Sequence, residues 1–355
     1  MNPNVSSSLT GYHHALSNSI FILAPASCCE LLGTAQEARE IGRVLDTHDT
    51  LQQIFDHRKL ELERLVRGAP KEETQGLTEK FIGTWIKNYK NRDKYLIATK
   101  VAGPGMDYVR NGSRLNKDHI AKAIDESLKR LNTDYIDLYQ VHWPERKSNY
   151  FGRLGYTQSE EYGVAIDETL DALEKAKKDG KIRNIGVSNE TPWGVMEYIR
   201  LSNTKNISRI QSIQNPYSLL NRIYEVGLAE ISHREEVGLL AYSPLGFGML
   251  TGKYNNSVPK NSRLGLYGDW FTRYSNDKCK KATLSYAKIA EKYNISLTKL
   301  ALAFVNMQPF VTSNIIGATT MDQLKENIES IDVVLTDEII EEINAVHEDI
   351  PNPAP

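Results

Sequence analysis

The 355-residue sequence predicts an α/β fold, a (β/α)8 TIM barrel. From Tyr95 onward, short apolar runs alternate with longer amphipathic ones. That alternation marks strand-then-helix units, and hence a parallel sheet covered by helices. The apolar runs also end in polar groups able to do chemistry. A doubly wound sheet converges only the strand ends near its switch point, whereas a barrel brings all of them to one rim. The length suits one barrel with insertions, which needs roughly 250 residues or more.

The elements follow in order. Tyr95–Lys100 reads as a buried strand, and Lys117–Arg130 as a helix with Ile120, Ala123, Ile124 and Leu128 on one face. Ile136–His142 is the next strand. Ile166–Lys178 is a helix stopped by Gly180, and Ile182–Val187 a strand. Thr191-Pro192 opens a helix, with proline where its missing N–H costs nothing. Strand Arg209–Gln214, helix Tyr224–Arg234 and strand Val237–Tyr242 continue the alternation. Helices Lys280–Tyr293 and Leu297–Asn306 precede a short strand, Thr312–Ile316. Helices Met321–Ile328 and Thr336–His347, the latter capped by Thr336, close the pattern. The tail Pro351-Asn-Pro-Ala-Pro355 is a terminal coil.

The strand ends carry the candidate chemistry. Lys100 closes the first of these strands, His142 the second, and Ser188 and Asn189 the third. Gln214 and Asn215 close the fourth, and Tyr242 and Ser243 the fifth. Taken singly, each has a plainer reading. Lys100 fits a snorkelling lysine, His142 a satisfied buried histidine, Asn189 a helix N-cap, and Tyr242 a core aromatic with a wet hydroxyl. Two loops look built for phosphate. Tyr242–Lys253 is glycine-rich and ends in a lysine, with Arg263 further on. Gly317–Thr320 opens a helix, where free N–H groups favour an anion. Glycine in such loops also serves plain turn chemistry, and neither loop has Walker or Rossmann spacing.

Composition narrows the function classes. Hydrophobic residues are 40% and charged residues 25%, as in an enzyme with a real core. With a net charge of −2 and no block of like charge, no nucleic-acid partner is expected. No apolar run approaches the roughly 18 residues of a membrane span. Residues 1–19 carry no Lys or Arg, so a signal peptide's charged region is missing. Cys28, Cys29 and Cys279 make no disulfide framework, and no Cys/His cluster has zinc spacing. The expectation is a cytoplasmic protein without a metal.

The motifs, as a set, resemble the aldo-keto reductase family. Lys100 after Leu-Ile-Ala-Thr is similar to the family lysine. Leu128-Lys-Arg-Leu-Asn-Thr-Asp-Tyr-Ile-Asp-Leu-Tyr-Gln-Val-His142 is similar to its longest signature, ending in the active-site histidine. Gly180-Lys-Ile-Arg-Asn-Ile-Gly-Val-Ser-Asn189, Ile213-Gln-Asn-Pro-Tyr217 and Ala241-Tyr-Ser-Pro-Leu-Gly246 match further blocks. So does Ile316-Gly-Ala-Thr-Thr-Met-Asp-Gln-Leu-Lys-Glu-Asn327. His142-Trp-Pro-Glu-Arg146 and Tyr217-Ser-Leu-Leu-Asn-Arg222 most resemble its Tas-type bacterial branch. The resemblance covers residues 71–355. It implies a (β/α)8 barrel that binds NADP(H) and reduces a small-molecule aldehyde or ketone by hydride transfer. It also implies that Ser188, Asn189 and Gln214 hold the nicotinamide carboxamide and that Tyr242 stacks on the ring. Ser243, Leu245, Gly246 and Lys253 would follow the pyrophosphate. Arg263, Gly317, Thr319, Gln323, Glu326 and Asn327 would hold the adenosine and its 2′-phosphate. Lys100 and His142 match two of the family's four catalytic groups, which also include an aspartate and a proton-donating tyrosine.

The other two groups have no match. Counting back from Thr74, Val66 stands where the tyrosine is expected and Glu61 where the aspartate is. The only tyrosine among the first seventy residues is Tyr12, in a polar segment beside His13 and His14. Residues 20–24 suit a strand and 35–66 a mostly helical stretch, but the first βα unit and the second strand are not recognisable. Missing strands would leave open sheet edges. Residues 1–70 are therefore expected to be an atypical segment, from a shifted reading frame or a wrongly joined gene model, ahead of a reductase barrel at 71–355. Read literally, the same sequence describes an NADP(H)-binding protein that lacks its proton donor, for example a regulatory subunit. Trp143 and Tyr217 are candidates to line the substrate pocket, although an aromatic beside a strand end is as often just packing.

Overall fold

The computed structural model describes residues 20–23, 30–33, 75–89, 92–149, 154–260, 262–267 and 272–355. Val66, Glu61, Tyr12 and the helical stretch expected at 35–66 lie outside them, as do Cys28 and Cys29. Two short strands come first, β1 (Ile20–Leu23) and β2 (Glu30–Gly33). Helix α1 (Leu77–Tyr89) precedes β3 (Tyr95–Val101) and α2 (Lys117–Leu131). The βα order then runs through β4 (Ile136–Val141), α3 (Ile166–Lys178), β5 (Ile182–Ser188) and α4 (Pro192–Lys205). It continues through β6 (Ile210–Gln214), α5 (Tyr224–Glu235) and β7 (Gly238–Ala241). After a 3-10 turn at Gly246–Thr251 come α6 (Arg263–Tyr267), α7 (Thr272–Ser275), α8 (Asp277–Lys292) and α9 (Leu297–Asn306). Strand β8 (Val311–Ile316) and helices α10 (Met321–Glu329) and α11 (Asp337–Asp349) complete the chain.

The strands form a closed barrel in the order β1-β2-β8-β7-β6-β5-β4-β3. From β3 to β8 all pairings are parallel, as the alternation predicted. The strand expected at 20–24 is β1, parallel to β3. The second strand was not legible, and β2 supplies it. It lies antiparallel to both β1 and β8, so a hairpin rather than a βα unit closes the barrel there. The edges that a missing strand would leave open are covered.

Alternation along each strand separates two apolar layers. Ala98, Leu138, Leu240 and Ile315 pack inside the barrel. Ile97, Tyr139, Val141, Ile185, Val187, Ile213 and Leu239 face the helices. Lys100, Gln140 and His142 share the inward parity of Ala98 and Leu138, which is what carries them to the barrel mouth.

Helix α1 was not foreseen, because Gly83 interrupts its apolar pattern. The glycine permits close packing. A Cβ at Gly83 would overlap the carbonyl oxygen of Arg130 at the end of α2. Nearby, buried Glu79 accepts from Arg130 Nε at 2.5 Å and Thr99 Oγ1 at 2.6 Å, tying α1 to α2 and β3. Alanine is the better helix former by about 1 kcal/mol, but overpacking against backbone costs about 1–3 kcal/mol. Gly83→Ala is therefore expected to lower the melting temperature followed by circular dichroism. A rise would show that α1 and α2 do not approach this closely.

The C-terminal segment is coil, as expected, but it is not loose. Asn352 Oδ1 accepts from the Arg222 backbone N–H at 2.7 Å. The Ala354 N–H donates to Leu220 O at 3.0 Å, and Asn276 Nδ2 donates to Pro353 O at 2.9 Å. Thr336 occupies the N-cap position of α11 but makes no side-chain capping bond.

Candidate active site

The C-terminal strand ends are joined by one hydrogen-bonded chain of side chains. Ser188 Oγ donates to the Gln214 carbonyl oxygen at 2.7 Å. Asn189 Nδ2 donates to the His142 carbonyl oxygen at 2.9 Å and to Ser188 Oγ at 3.2 Å. Tyr242 donates its hydroxyl to Asn189 Oδ1 at 2.7 Å. Four neighbouring strand ends, β4 to β7, are thus held in one arrangement. Asn189 is the hub, and it sits in the left-handed region at φ 52°. It is not a helix N-cap, since Thr191 fills that place by accepting from the Gly194 N–H.

Lys100 and His142 are electrostatically coupled on adjacent strands. Burial, and then the Lys100 cation, push the His142 pKa down to about 3. The residue keeps some exposed surface, but Nδ1 is sealed from solvent and has no hydrogen-bond partner among the described residues. The imidazole is neutral at ordinary pH and able to donate or accept a hydrogen bond. The Trp143 ring lies against it, with centroids 4.6 Å apart, and its Nε1 donates to Pro104 O. Tyr217 is not a pocket wall: it is fully buried between Phe304 and Phe310. An aromatic beside a strand end was drawn into the core.

The depressed pKa has a signed consequence. Between about pH 6.5 and pH 3, an unfolded chain protonates this histidine while the folded chain does not. Its stabilising contribution is therefore complete above about pH 6.5 and shrinks on acidification, by up to about 2 kcal/mol at pH 5. The melting-temperature gap between wild type and His142→Gln should narrow from about pH 7 to about pH 5. A gap that stays constant would place His142 in an ordinary, solvated setting.

The loop after β7 bends through positive φ at Ser243, Gly246, Phe247, Gly248 and Gly252. Leu245 packs against the core and anchors the loop. Lys253 lies over Gly248, where a Cβ would meet its Nζ at 3.0 Å. The Arg263 guanidinium sits 4.7 Å from the Phe247 ring centre, and Phe247 stacks on Tyr274. Two exposed cations thereby flank a glycine-rich turn.

At the start of α10, Thr319 donates from N and Oγ1 to Gln323 Oε1 at 2.9 and 3.0 Å. Asn327 Nδ2 reaches Gly317 O at 3.4 Å. Glu326 is turned aside and accepts from Ser296 Oγ at 2.7 Å. One inward residue lies outside the sequence-derived set: Gln140, fully buried, donates from Nε2 to Gln214 Oε1 at 3.0 Å. Its inward parity, shared with Lys100 and His142, was the available signal.

Fold and rim together define an α/β-barrel protein with a polar site at the strand ends, and comparison with known proteins gives the family. The profile of the Aldo/keto reductase family matches residues 74–348. Protein Tas of Escherichia coli is 51% identical over 291 residues, 81% of this chain and 84% of Tas. An aldo-keto reductase of Babesia bovis is 39% identical, covering 72% of this chain and 96% of that protein. A probable aryl-alcohol dehydrogenase of Saccharomyces cerevisiae is 27% identical, covering 76% of this chain and 79% of that protein.

The chain belongs to the aldo/keto reductase family and is Tas-like, with the general role of an oxidoreductase. The family acts on small-molecule carbonyl substrates. No helix among the described residues is long and apolar enough to cross a membrane.

Proposed function

We propose that the protein is an NADP(H)-dependent reductase of small aldehydes or ketones. The observation that carries this reading is the linked set Ser188, Asn189, Gln214 and Tyr242 beside the Lys100–His142 pair. These groups suit a dinucleotide. Gln214 Nε2 makes no hydrogen bond among the described residues, and amide and hydroxyl groups around it match a carboxamide. Tyr242 offers a ring face. Gly248 lets the Lys253 side chain pack down on the glycine-rich turn, where a Cβ would meet its Nζ at 3.0 Å, and Ser243, Leu245, Gly246 and Lys253 would line a pyrophosphate. Arg263 supplies a cation for a 2′-phosphate. Gly317, Thr319, Gln323, Glu326 and Asn327 supply the polar groups for adenosine.

When bound, the reduced nicotinamide supplies hydride to the substrate carbonyl. The chain's own part is to orient that carbonyl and stabilise the oxygen as it gains charge. Neutral His142 is suited to hydrogen-bond the oxygen, and the Lys100 cation favours a negative oxygen nearby. No tyrosine stands between Tyr12 and Tyr89, so the usual proton donor has no place in this sequence. That observation favours a second reading, in which the same clasp binds NADP(H) without turnover. We read residues 71–355 as the reductase domain, whose barrel is closed by β1 and β2 from within an atypical 1–70 segment, and trace that segment's departure from the family pattern to a shifted frame or misjoined gene model. Detection of the Leu60–Arg67 peptide by mass spectrometry contradicts the last point.

Fluorescence titration tests the cofactor. NADPH should bind at least about ten-fold more tightly than NADH, and Arg263→Ala should close most of that gap. Equal affinities in the wild type would argue against a 2′-phosphate site at Arg263.

A further inference from the structure

We propose that Gln140 is a positioning residue that fixes the amide orientation of Gln214 from beneath. This rests on the reading of Gln214 as a cofactor contact. Gln140 lies on β4 opposite Gly186 of β5, and Gly186 lies opposite Ser212 of β6. The Gln140 side chain crosses the β5 strand at this glycine to reach Gln214 Oε1 on β6, at 3.0 Å. A Cβ at Gly186 would stand 2.7 Å from Ser212 Oγ and 3.0 Å from Gln140 Cγ, so the crossing needs glycine there.

Packing alone does not account for glutamine at this position. Gln140 is fully buried, and its own Oε1 has no partner among the described residues. A leucine would remove that orphan acceptor, but Gln214 Oε1 would lose its donor. What glutamine adds is the donor. With Oε1 of Gln214 pinned to Gln140, the free Nε2–H and the remaining lone pair of Oε1 are presented in one fixed sense. A glutamine held in this way is pre-organised for a planar carboxamide, whereas a free one must lose its rotation on binding.

The test compares wild type, Gln140→Leu and Gln140→Glu by NADPH fluorescence titration, NADPH turnover and thermal melting. In Gln140→Leu the NADPH Kd should rise about ten-fold, the worth of one oriented hydrogen bond. kcat at saturating NADPH should change much less, and the melting temperature should move by no more than about 2 °C, since one orphan acceptor replaces another. Gln140→Glu sets a carboxylate against Oε1 and turns the Gln214 amide over, so its Kd should rise further. A Gln140→Leu protein that binds NADPH as wild type does overturns the proposal, as does affinity that falls only in step with melting temperature. If Gln140→Glu fails to fold, the leucine variant alone decides. A wild-type chain that binds neither NADPH nor NADH overturns the cofactor reading and this proposal with it. Wild-type binding with an unperturbed leucine variant overturns this proposal alone.

Discussion

Asp137→Ala should destabilise the protein by about 3–5 kcal/mol, the loss expected when one partner of a buried ion pair is removed. Asp137 is buried on β4, and its Oδ2 accepts from Arg92 Nη2 at 2.6 Å and from the Ile97 backbone N–H at 2.9 Å. Its Oδ1 accepts from Arg183 Nη1 at 3.2 Å. The Tyr135 ring lies between the same two guanidinium groups, 4.0 Å from Arg92 and 3.6 Å from Arg183. The carboxylate thus ties the starts of β3, β4 and β5. Alanine would leave the Arg92 charge and the Ile97 N–H without it. For a chain of this size the melting temperature should fall by roughly 5 °C. The cluster lies at the N-terminal ends of the strands, away from the rim, so NADPH affinity of the folded protein should hold. A melting temperature within a degree or so of wild type would show the cluster to be no more than surface charge.

Asn189→Ala should have the largest effect on cofactor binding, about a hundred-fold loss of NADPH affinity. The side chain serves His142, Ser188 and Tyr242 at once, and its removal takes a hydrogen-bond partner from the Tyr242 hydroxyl and from the His142 carbonyl in a part-buried setting. The backbone contributes separately, because alanine in the left-handed region costs about 1 kcal/mol or more. Asn189→Gly separates the two effects. Glycine tolerates this φ but lacks the side chain. Both variants should lose similar affinity, while alanine alone should lose additional melting temperature. Wild-type affinity in Asn189→Gly would contradict the assignment of the side chain to the site.

The barrel from β3 onward was legible because each buried strand is a short apolar run and each helix has one apolar face. The inward residues at strand ends were legible for the same reason, since strand parity sets their direction. Elements held mainly by partners were not. Strand β2 reads Glu-Leu-Leu-Gly, too short for alternation, and its pairing with β1 and β8 defines it. Helix α1 contains a glycine whose meaning lies in the backbone of α2. Gln140 looked like one polar residue in an apolar strand, because its partner is 74 positions away. For Tyr217 pocket wall and packing stay equally open in the sequence, which shows an aromatic near the rim but not the Phe304 and Phe310 rings that enclose it. The tail's prolines and asparagine forbid regular structure, but they do not reveal that Leu220 and Arg222 receive it.

The reductase reading is tested most directly by NADPH oxidation with a small aldehyde, comparing wild type and Lys100→Met at matched cofactor saturation. The wild type should show aldehyde-dependent loss of NADPH absorbance. Lys100→Met should turn over about a hundred-fold more slowly or worse, with NADPH binding retained. Saturable NADPH binding by the wild type with no aldehyde-dependent oxidation would overturn the reductase reading and leave the protein an NADP(H)-binding barrel without catalysis.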